Sequence, residues 1–346
     1  MKYLSHSIVT AFIFSFACSA FSQILEVSPA FPTNADVVTV VYDASEGNAA
    51  LLGVGPVYCH AGLITSASTS PSNWLFVQGV WGTPDPNVLM TSLGNNKHSI
   101  TINIPQFYGF PNGTIVQKLA FVFRNAAGTI VGRSSDGSDI YYDVYPTNAG
   151  LLASIFHPSA GTTLDVNEQL QIEAATNQPA TLTLQQDGVV LQTLSNATQL
   201  NYTLTATQAG THLLEFIANN GTTQVIDSTY ITVNPLVVPI NPPYTGLQNG
   251  INYINDTTIV LQLHAPQKEH IYVIGDFNNW LPTTNYHMNL STNMSTWWLE
   301  ISGLTPGQKY AYQYFIDGTL RLADPMSPLI LDPNNDGSIS AQTYPN

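Results

Sequence analysis

The segment from Tyr310 to Gly318 constrains the fold most, because its side chains alternate with a period of two residues and then reach a turn. Tyr310, Tyr312, Tyr314 and Ile316 share one face of such a segment, and the residues between them share the other. The pair Asp317-Gly318 is typical of a tight hairpin. A helix would show a period of 3.6 residues, so this pattern predicts a β-strand.

Short apolar runs separated by turn residues recur along the whole chain, and no long segment has the helix period. In the first part, the predicted strands are Val37 to Tyr42, Val54 to Ala61, Trp74 to Val77, Ser99 to Ile104, Lys118 to Arg124 and Ile140 to Tyr145. The 346 residues exceed what one hydrophobic core usually holds. We therefore predict an all-β protein of three consecutive β-sandwich domains with immunoglobulin-like folds.

Domain boundaries are expected where the pattern is interrupted. The expected units are a signal peptide at 1–22, a first sandwich at 24–146, an immunoglobulin-like spacer at 150–233, a Pro-rich linker at 234–246 and a third sandwich at 247–346. The middle unit has few aromatic residues, and Asp187-Gly188 predicts a hairpin in it. Prolines lack the N–H that a central strand needs, so the linker is predicted to be an extended connector that sets the spacing of its neighbours.

The first residues have the features of a secretory signal peptide. Lys2 precedes an apolar run from Ile8 to Ala17, and small residues at Ala20 and Ser22 suit a cleavage site. This predicts a protein that is secreted or placed on the cell surface. The run is too short to cross a membrane, and no later window has about 20 continuous apolar residues, so no membrane span is predicted.

The charge balance argues against a nucleic-acid partner. The chain has 8 basic and 22 acidic residues, a net charge of −14, and loss of the leader removes Lys2 but no acid. Neutralising phosphates requires clustered Lys and Arg, whereas here they are scattered singly. After cleavage Cys59 would be the one cysteine left, which excludes an intrachain disulfide and favours a small buried side chain.

The third unit contains three ordered motifs. They are Gly275-Asp-Phe-Asn-Asn-Trp280, Tyr312-Gln-Tyr-Phe-Ile-Asp-Gly318 and Arg321-Leu-Ala-Asp-Pro325. In these motifs the chain resembles the family 48 carbohydrate-binding modules and the related N-terminal β-sandwich of family 13 glycoside hydrolases, such as branching and debranching enzymes. The resemblance implies a β-sandwich that contacts α-glucan or supports a neighbouring catalytic domain.

The glucan site of that family is only partly matched. Glycogen-binding members typically use two tryptophans and a lysine, of which Trp280 matches one tryptophan. Gln313 stands at the lysine position and Leu320 at that of the second tryptophan. The resemblance therefore gives Trp280, Asn279 and Gln313 as candidate glucan-binding residues. The alternative is that Trp280 packs on a neighbouring domain.

The first unit has a second set of motifs. They are Tyr58-Cys-His-Ala-Gly62, Trp74 with Val80-Trp-Gly82, Phe107-Tyr-Gly109 and Leu119-Ala-Phe-Val-Phe-Arg-Asn125. They look like an N-terminal module of secreted bacterial α-amylases and, more loosely, like starch-binding modules of families 25 and 26. The candidate glucan-binding residues are Tyr58, His60, Trp74 and Trp81, with Asp136 and Asp139 as possible hydroxyl acceptors. The alternative is that both tryptophans are core residues.

Catalytic chemistry finds no support in the sequence. A family 13 hydrolase needs two fixed carboxylates on a (β/α)₈ barrel of about 250 residues, and no such alternation of strands and helices is present. Asp332 to Gly337 matches the start of a calcium loop, but Thr343 stands at its twelfth position, so a turn is predicted. The histidines show no metal-ligand spacing. No metal or cofactor is predicted.

These observations favour a non-catalytic accessory region that binds or positions α-glucan for an amylase-type catalytic domain. One alternative is a structural or adhesion spacer without glycan binding. A second is a fragment of an α-amylase whose hydrolytic barrel lies beyond residue 346.

Overall fold

In the computed structural model, residues 24–327 and 329–330 are described, and the expected signal peptide and the Asp332 to Gly337 turn lie outside them. The prediction of an all-β chain of consecutive β-sandwiches is confirmed. Regular helix in the described part is limited to α1 (Ile104–Tyr108) and two 3₁₀ turns, Pro86–Val88 and Thr284–Tyr286.

The first sandwich is built from two sheets. Its strands are β1 (Leu25–Ser28), β2 (Val37–Asp43), β3 (Tyr58–Thr65), β4 (Leu75–Gln78), β5 (Thr91–Gly94), β6 (Lys97–Asn103), β7 (Val116–Arg124), β8 (Val131–Gly132) and β9 (Ile140–Asp143). One sheet has the order β1-β2-β6-β5. The other has the order β4-β3-β7-β8, with β9 also paired to β7.

The core of this sandwich lies between the two sheets. On β2 the buried side chains alternate, and the Tyr42 ring stacks on the Phe123 ring of β7 at a centroid distance of 3.9 Å. Cys59 on β3 is fully buried, and burial raises the pKa of its thiol. The thiol is therefore a packing group, as its sequence context predicts. Strands β3 and β7 are buried on both faces, so other residues of the chain must also cover the face that points away from the core.

Several strand boundaries in this sandwich differ from the predictions. The predicted strand from Val54 begins only at Tyr58, because Pro56 has no N–H to donate to a ladder. It then continues to Thr65. The short strands β1, β5 and β8 were not predicted, since β5 is exposed throughout and β8 has only two residues.

The middle sandwich is formed around one long bent hairpin. Its strands are β10 (Ala153–His157), β11 (Thr162–Leu164), β12 (Gln169–Gln186), β13 (Val189–Thr205), β14 (Gly210–Asn219) and β15 (Gln224–Val233). The order is β10-β12-β14-β15-β11, with β13 paired to the other edge of β12. Asp187-Gly188 forms the predicted hairpin turn with positive φ at both residues. The register of β12 shifts between Ala175 and Leu182, and there the strand passes from one layer to the other.

The third sandwich again has two sheets. Its strands are β16 (Gly250–Asn255), β17 (Thr258–His264), β18 (Ile271–Gly275), β19 (Asn289–Leu290), β20 (Thr296–Ile301), β21 (Tyr312–Ile316) and β22 (Leu320–Leu322). The orders are β16-β17-β20-β19 and β18-β21-β22. Trp297 of β20 is fully buried between the sheets, and its indole N–H donates to the Ala265 carbonyl at 3.0 Å.

The Pro-rich connector contains no strand or helix from 234 to 249, and it lies against the third sandwich. The Ile240 N–H donates to the Leu290 carbonyl at 2.8 Å, and the Ile240 carbonyl accepts from the Trp298 indole at 2.8 Å. The Asn241 side chain accepts from both the N–H and the hydroxyl of Thr292. These bonds attach the connector to one of the domains that it joins.

Candidate functional site

Three of the four candidates of the first sandwich, His60, Trp74 and Trp81, lie together on the outer face of the sheet β4-β3-β7-β8. Cys59 and Ala61 of β3 point into the core, so His60 points outward. Tyr58, at the start of β3, is instead buried and belongs to the core cluster, so the prediction of a sugar contact by Tyr58 is wrong. Trp74 immediately precedes β4, and Trp81 lies in the loop that follows it. Neither tryptophan belongs to the core between the sheets.

Trp74 lies flat on the sheet because β3 carries a glycine beneath it. A Cβ at Gly62 would lie 3.0 Å from both Cβ and Cε3 of Trp74, closer than side chains normally approach. The indole edge meets Tyr141 of β9, with a ring centroid distance of 6.4 Å, and Nε1 lies 3.5 Å from the Tyr141 hydroxyl. Trp74 is thereby part of the outer cover of β3 and β7.

His60 lies between the two indoles. Its ring is nearly parallel to that of Trp74 at 6.0 Å and perpendicular to that of Trp81 at 5.2 Å. Nδ1 lies 3.0 Å from the Gly79 carbonyl, so Nδ1 carries the proton and Nε2 is left as an acceptor. Burial lowers the pKa of His60 from its ordinary value, and the bond to the Gly79 carbonyl opposes part of this shift, so the neutral form of the ring is favoured.

Trp81 is the most accessible ring of this group. It is 46% exposed, whereas Tyr58 is buried. Its Nε1 lies against Gly128, where a Cβ would approach to 2.8 Å. His60, Trp74 and Trp81 therefore form a partly exposed aromatic row, which we call the outer aromatic row. A row of this kind can contact the apolar face of a sugar ring.

The two acidic candidates already have protein partners. Asp139 forms an ion pair with Arg133, and its other oxygen lies 3.5 Å from the Tyr141 hydroxyl. Asp136 accepts from Ser138, and these bonds lower the pKa of its carboxyl. Of the two, Asp139 is connected to the outer aromatic row, through Tyr141.

Two residues of this face were not among the sequence candidates. Tyr141 contacts Trp74, and its alternation within β9 was the signal that would have placed it on the outer face. Arg124 lies below Trp81 at the end of β7 and is fully buried. No sequence pattern indicates a buried arginine there.

The candidates of the third sandwich lie on the outer face of the sheet β18-β21-β22. Trp280 is partly buried and packs on a small cluster of Tyr272, Ile274 and Phe315. Gln313 is paired with Ile274 across the sheet and so shares that face. Asn279 is exposed in the turn, with φ of 54°.

The motif around Trp280 is accounted for by the turn itself. The Asn278 side chain accepts from the Gly275 N–H and donates to the Val273 carbonyl, both at 2.8 Å. Asp276 accepts from the Ala311 N–H at 2.8 Å. A Cβ at Gly275 would collide with the Ala311 carbonyl. The motif therefore fixes a strand end, whether or not a ligand is bound.

The outer face that carries Trp280 is joined to the middle sandwich. The Thr284 N–H donates to the Thr211 hydroxyl of the middle sandwich at 3.2 Å, and the Tyr272 hydroxyl donates at 2.8 Å to Asn234, the first residue of the connector. His270 of the third sandwich also reaches Asp165, with Nε2 3.3 Å from Oδ1. This surface is a junction between domains, which fits the packing alternative for the region around Trp280.

Within the described residues, no group of three or more His, Cys, Asp or Glu side chains is arranged to hold a metal ion. The same part of the chain has no helix of the length and apolar character that a membrane crossing needs.

Comparison with known proteins identifies no family for this chain. No family model matches it, and no curated protein does. Among solved structures, fibronectin(III)-like modules of Clostridium thermocellum CbhA match 24% of this chain and 95% of their own, at 24% identity and a TM-score of 0.22. Titin domains A168–A170 match 86% of this chain and 93% of their own, at 9% identity and a TM-score of 0.22. At such TM-scores these likenesses say nothing about function.

Proposed function

We propose that this chain is a non-catalytic accessory region that binds α-glucan through the outer aromatic row of the first sandwich, for a secreted amylase-type hydrolase. The observation that carries the proposal is the grouping of His60, Trp74 and Trp81 on one partly exposed face. These residues come from β3, from the position before β4 and from the loop after it, and the fold places both indoles against the His60 ring. The sequence resemblance to modules of secreted α-amylases supports the same ligand class.

The chemistry of this face suits a neutral sugar. The indoles offer apolar surface, and His60 Nε2 offers an acceptor for a hydroxyl group. One ring that covers about 60 to 100 Å² of a sugar contributes roughly 1.5 to 2.5 kcal/mol. Micromolar affinity needs about 8 kcal/mol, so binding to a single sugar unit is expected to be weak and binding to a polymer stronger.

Affinity electrophoresis in native gels that contain amylopectin or glycogen tests the proposal. Wild-type protein is expected to be retarded, and Trp81→Ala is expected to be retarded much less, because it loses one ring that contributes roughly 1.5 to 2.5 kcal/mol. Tyr253→Ala is the matched control, because Tyr253 is an aromatic side chain that is 80% exposed but lies on the third sandwich. A wild type that migrates without retardation rejects the proposal.

Trp280→Ala tests the competing site in the same gels. Because Trp280 packs on Tyr272, Ile274 and Phe315, its removal is expected to leave retardation unchanged. A loss of retardation equal to that of Trp81→Ala would instead place a glucan contact on the third sandwich. A reducing-sugar assay on soluble starch is expected to show no turnover by this chain.

The second candidate function is a structural spacer without glycan binding. The hydrogen bonds between the middle and third sandwiches, and the attachment of the connector, favour it. It requires that no polysaccharide retard the wild type and that Trp81→Ala change nothing.

A further inference from the structure

Arg124 is a fully buried cation at the end of β7, and it forms no ion pair with any described carboxylate. Burying a guanidinium away from water is costly unless its N–H groups are bonded. A position that served only packing would be filled more favourably by an apolar side chain of similar volume. The charge at Arg124 therefore needs a specific explanation.

The guanidinium bonds four backbone carbonyls in two separate loops. Nη2 donates to Val80 at 2.7 Å and to Thr83 at 2.9 Å, in the loop that carries Trp81. Nη1 donates to Asn125 and Ala126, each at 3.1 Å, in the turn between β7 and β8. The planar guanidinium group can donate to both loops at once, whereas a lysine ammonium cannot reproduce this geometry.

The same group also supports the accessible indole directly. Cζ of Arg124 lies 5.8 Å from the centroid of the Trp81 ring and 5.3 Å from that of Tyr58. Both distances are within the range of cation–π attraction, which is strengthened where water is excluded. Gly128 leaves room for the Nε1 edge of the indole, since a Cβ there would lie 2.8 Å from Nε1. Trp81 is thus held by loop bonds on both sides of its position and by the cation beneath it.

We propose that Arg124 is the positioning residue that holds Trp81 in its sugar-contacting orientation. This inference rests on the proposed function of the outer aromatic row and assigns to Arg124 a role that its burial alone does not require. Arg124 does not touch the sugar. It acts through Trp81.

A double-mutant cycle with Arg124→Lys and Trp81→Ala tests the coupling, with a linear α-1,4-linked glucose heptamer as the probe in calorimetry. Arg124→Lys is expected to weaken binding about tenfold in the wild-type background. In the Trp81→Ala background it is expected to cause no further loss. Equal losses in both backgrounds, or wild-type affinity for Arg124→Lys, would overturn the inference. Arg321→Lys, which affects an exposed arginine stacked on Phe315, is the matched control and should bind as the wild type does.

A spectroscopic measurement separates this inference from the proposed function. With 5-fluorotryptophan, the ¹⁹F resonance of Trp81 is identified by its loss in Trp81→Ala. Arg124→Lys is expected to shift or broaden that resonance and to leave those of Trp280, Trp297 and Trp298 in place. If the wild type binds no glucan, the proposed function fails, and the resonance still decides whether Arg124 positions Trp81.

If Arg124→Lys folds poorly, Arg124→Gln provides a second test of the role of Arg124. Arg124→Gln keeps donor N–H groups on one nitrogen and removes the charge, so it is expected to hold one loop and to give an intermediate affinity. An unchanged Trp81 resonance in a folded Arg124→Gln protein, or the same displacement of all tryptophan resonances, contradicts a specific positioning role.

Discussion

Gly62 determines where the Trp74 indole lies, because a glycine has no side chain to occupy that part of the sheet surface. Two outward-facing positions of β3, His60 and Gly62, are two residues apart, and the second leaves the sheet surface bare. The indole fills this space and covers the strands below. The accessible face of the first sandwich is therefore set by one glycine as much as by the aromatic residues.

Gly62→Ala is expected to push Trp74 away from the sheet, since the new Cβ would lie 3.0 Å from two of its atoms. We expect a loss of about 1–3 kcal/mol in the free energy of unfolding and weaker glucan retardation. Gly150→Ala is the control, because nothing lies within 4 Å of a Cβ at that position. Chemical denaturation of both variants measures the difference, and equal stabilities would contradict the account of Trp74.

His287 gives the third sandwich a pH dependence. Burial, and then the charge of His270, lower the pKa of His287 to about 4 from its ordinary value near 6.5. As the pH falls, the unfolded chain takes up a proton first, so stability falls between about pH 6.5 and about pH 4. We expect a loss of roughly 2–3 kcal/mol over this window, measured by urea unfolding with tryptophan fluorescence. His287→Gln should flatten this dependence, and an unchanged slope in that variant would exclude His287 as its source.

At the scale of the element, the alternation in β21 correctly predicts which side chains share a face. It does not predict whether that face is buried or exposed. Tyr312 and Tyr314 do share a face, which is the inner one, and Tyr314 is fully buried. Both hydroxyls donate to the buried carboxylate of Asp324, at 2.6 and 3.2 Å. The tyrosines of this motif are thus bonded within the sandwich and do not form a sugar platform.

Asp324→Ala is expected to destabilise the third sandwich by about 2–4 kcal/mol, since the buried Tyr314 hydroxyl, the partly buried Tyr312 hydroxyl and the Met326 N–H lose their acceptor. Asp256→Ala removes an exposed aspartate on a neighbouring turn and should have little effect. Thermal unfolding monitored by near-ultraviolet circular dichroism compares the two variants. Similar melting temperatures would show that the carboxylate does not support β21.

The sequence predicted the elements that have strong local patterns. Strand β2 begins at the predicted residue, and β7 ends at it, because both alternate or run as continuous apolar segments. In β12 the sequence alternates in two separate segments, Leu170 to Glu173 and Thr181 to Leu184, and it does not predict that they form one strand, since the bulge between Ala175 and Leu182 depends on the packing of two layers. The rings of the outer aromatic row could be chosen by residue type and parity. Arg124 could not, because its partners are backbone carbonyls of distant loops.

At the scale of the whole molecule, the connector does not act as a free spacer between the middle and third sandwiches. Its bonds to Leu290, Trp298 and Thr292 attach it to the third sandwich. Direct contacts between the two domains, such as Thr284 to Thr211, add to this attachment. The spacing of these two domains is therefore set by packed contacts, and linker length contributes little.

Trp298→Phe tests the attachment of the connector. The variant keeps an aromatic ring but leaves the Ile240 carbonyl without its indole donor. We expect chymotryptic cleavage at Leu236 or Tyr244 to accelerate about tenfold, because local opening becomes easier by about 1–1.5 kcal/mol. Tyr253→Phe is a control on an exposed position of β16. Rapid cleavage of the wild type at the same sites would show that the connector is not held.

Because Cys59 is buried in the first sandwich, the reactivity of its thiol reports the opening of that domain. In a chain expressed from Ile24 it is the single thiol, and it is inaccessible to reagents while β3 stays packed. The rate at which a maleimide modifies the Cys59 thiol therefore measures how often the first sandwich opens, and no additional label has to be introduced.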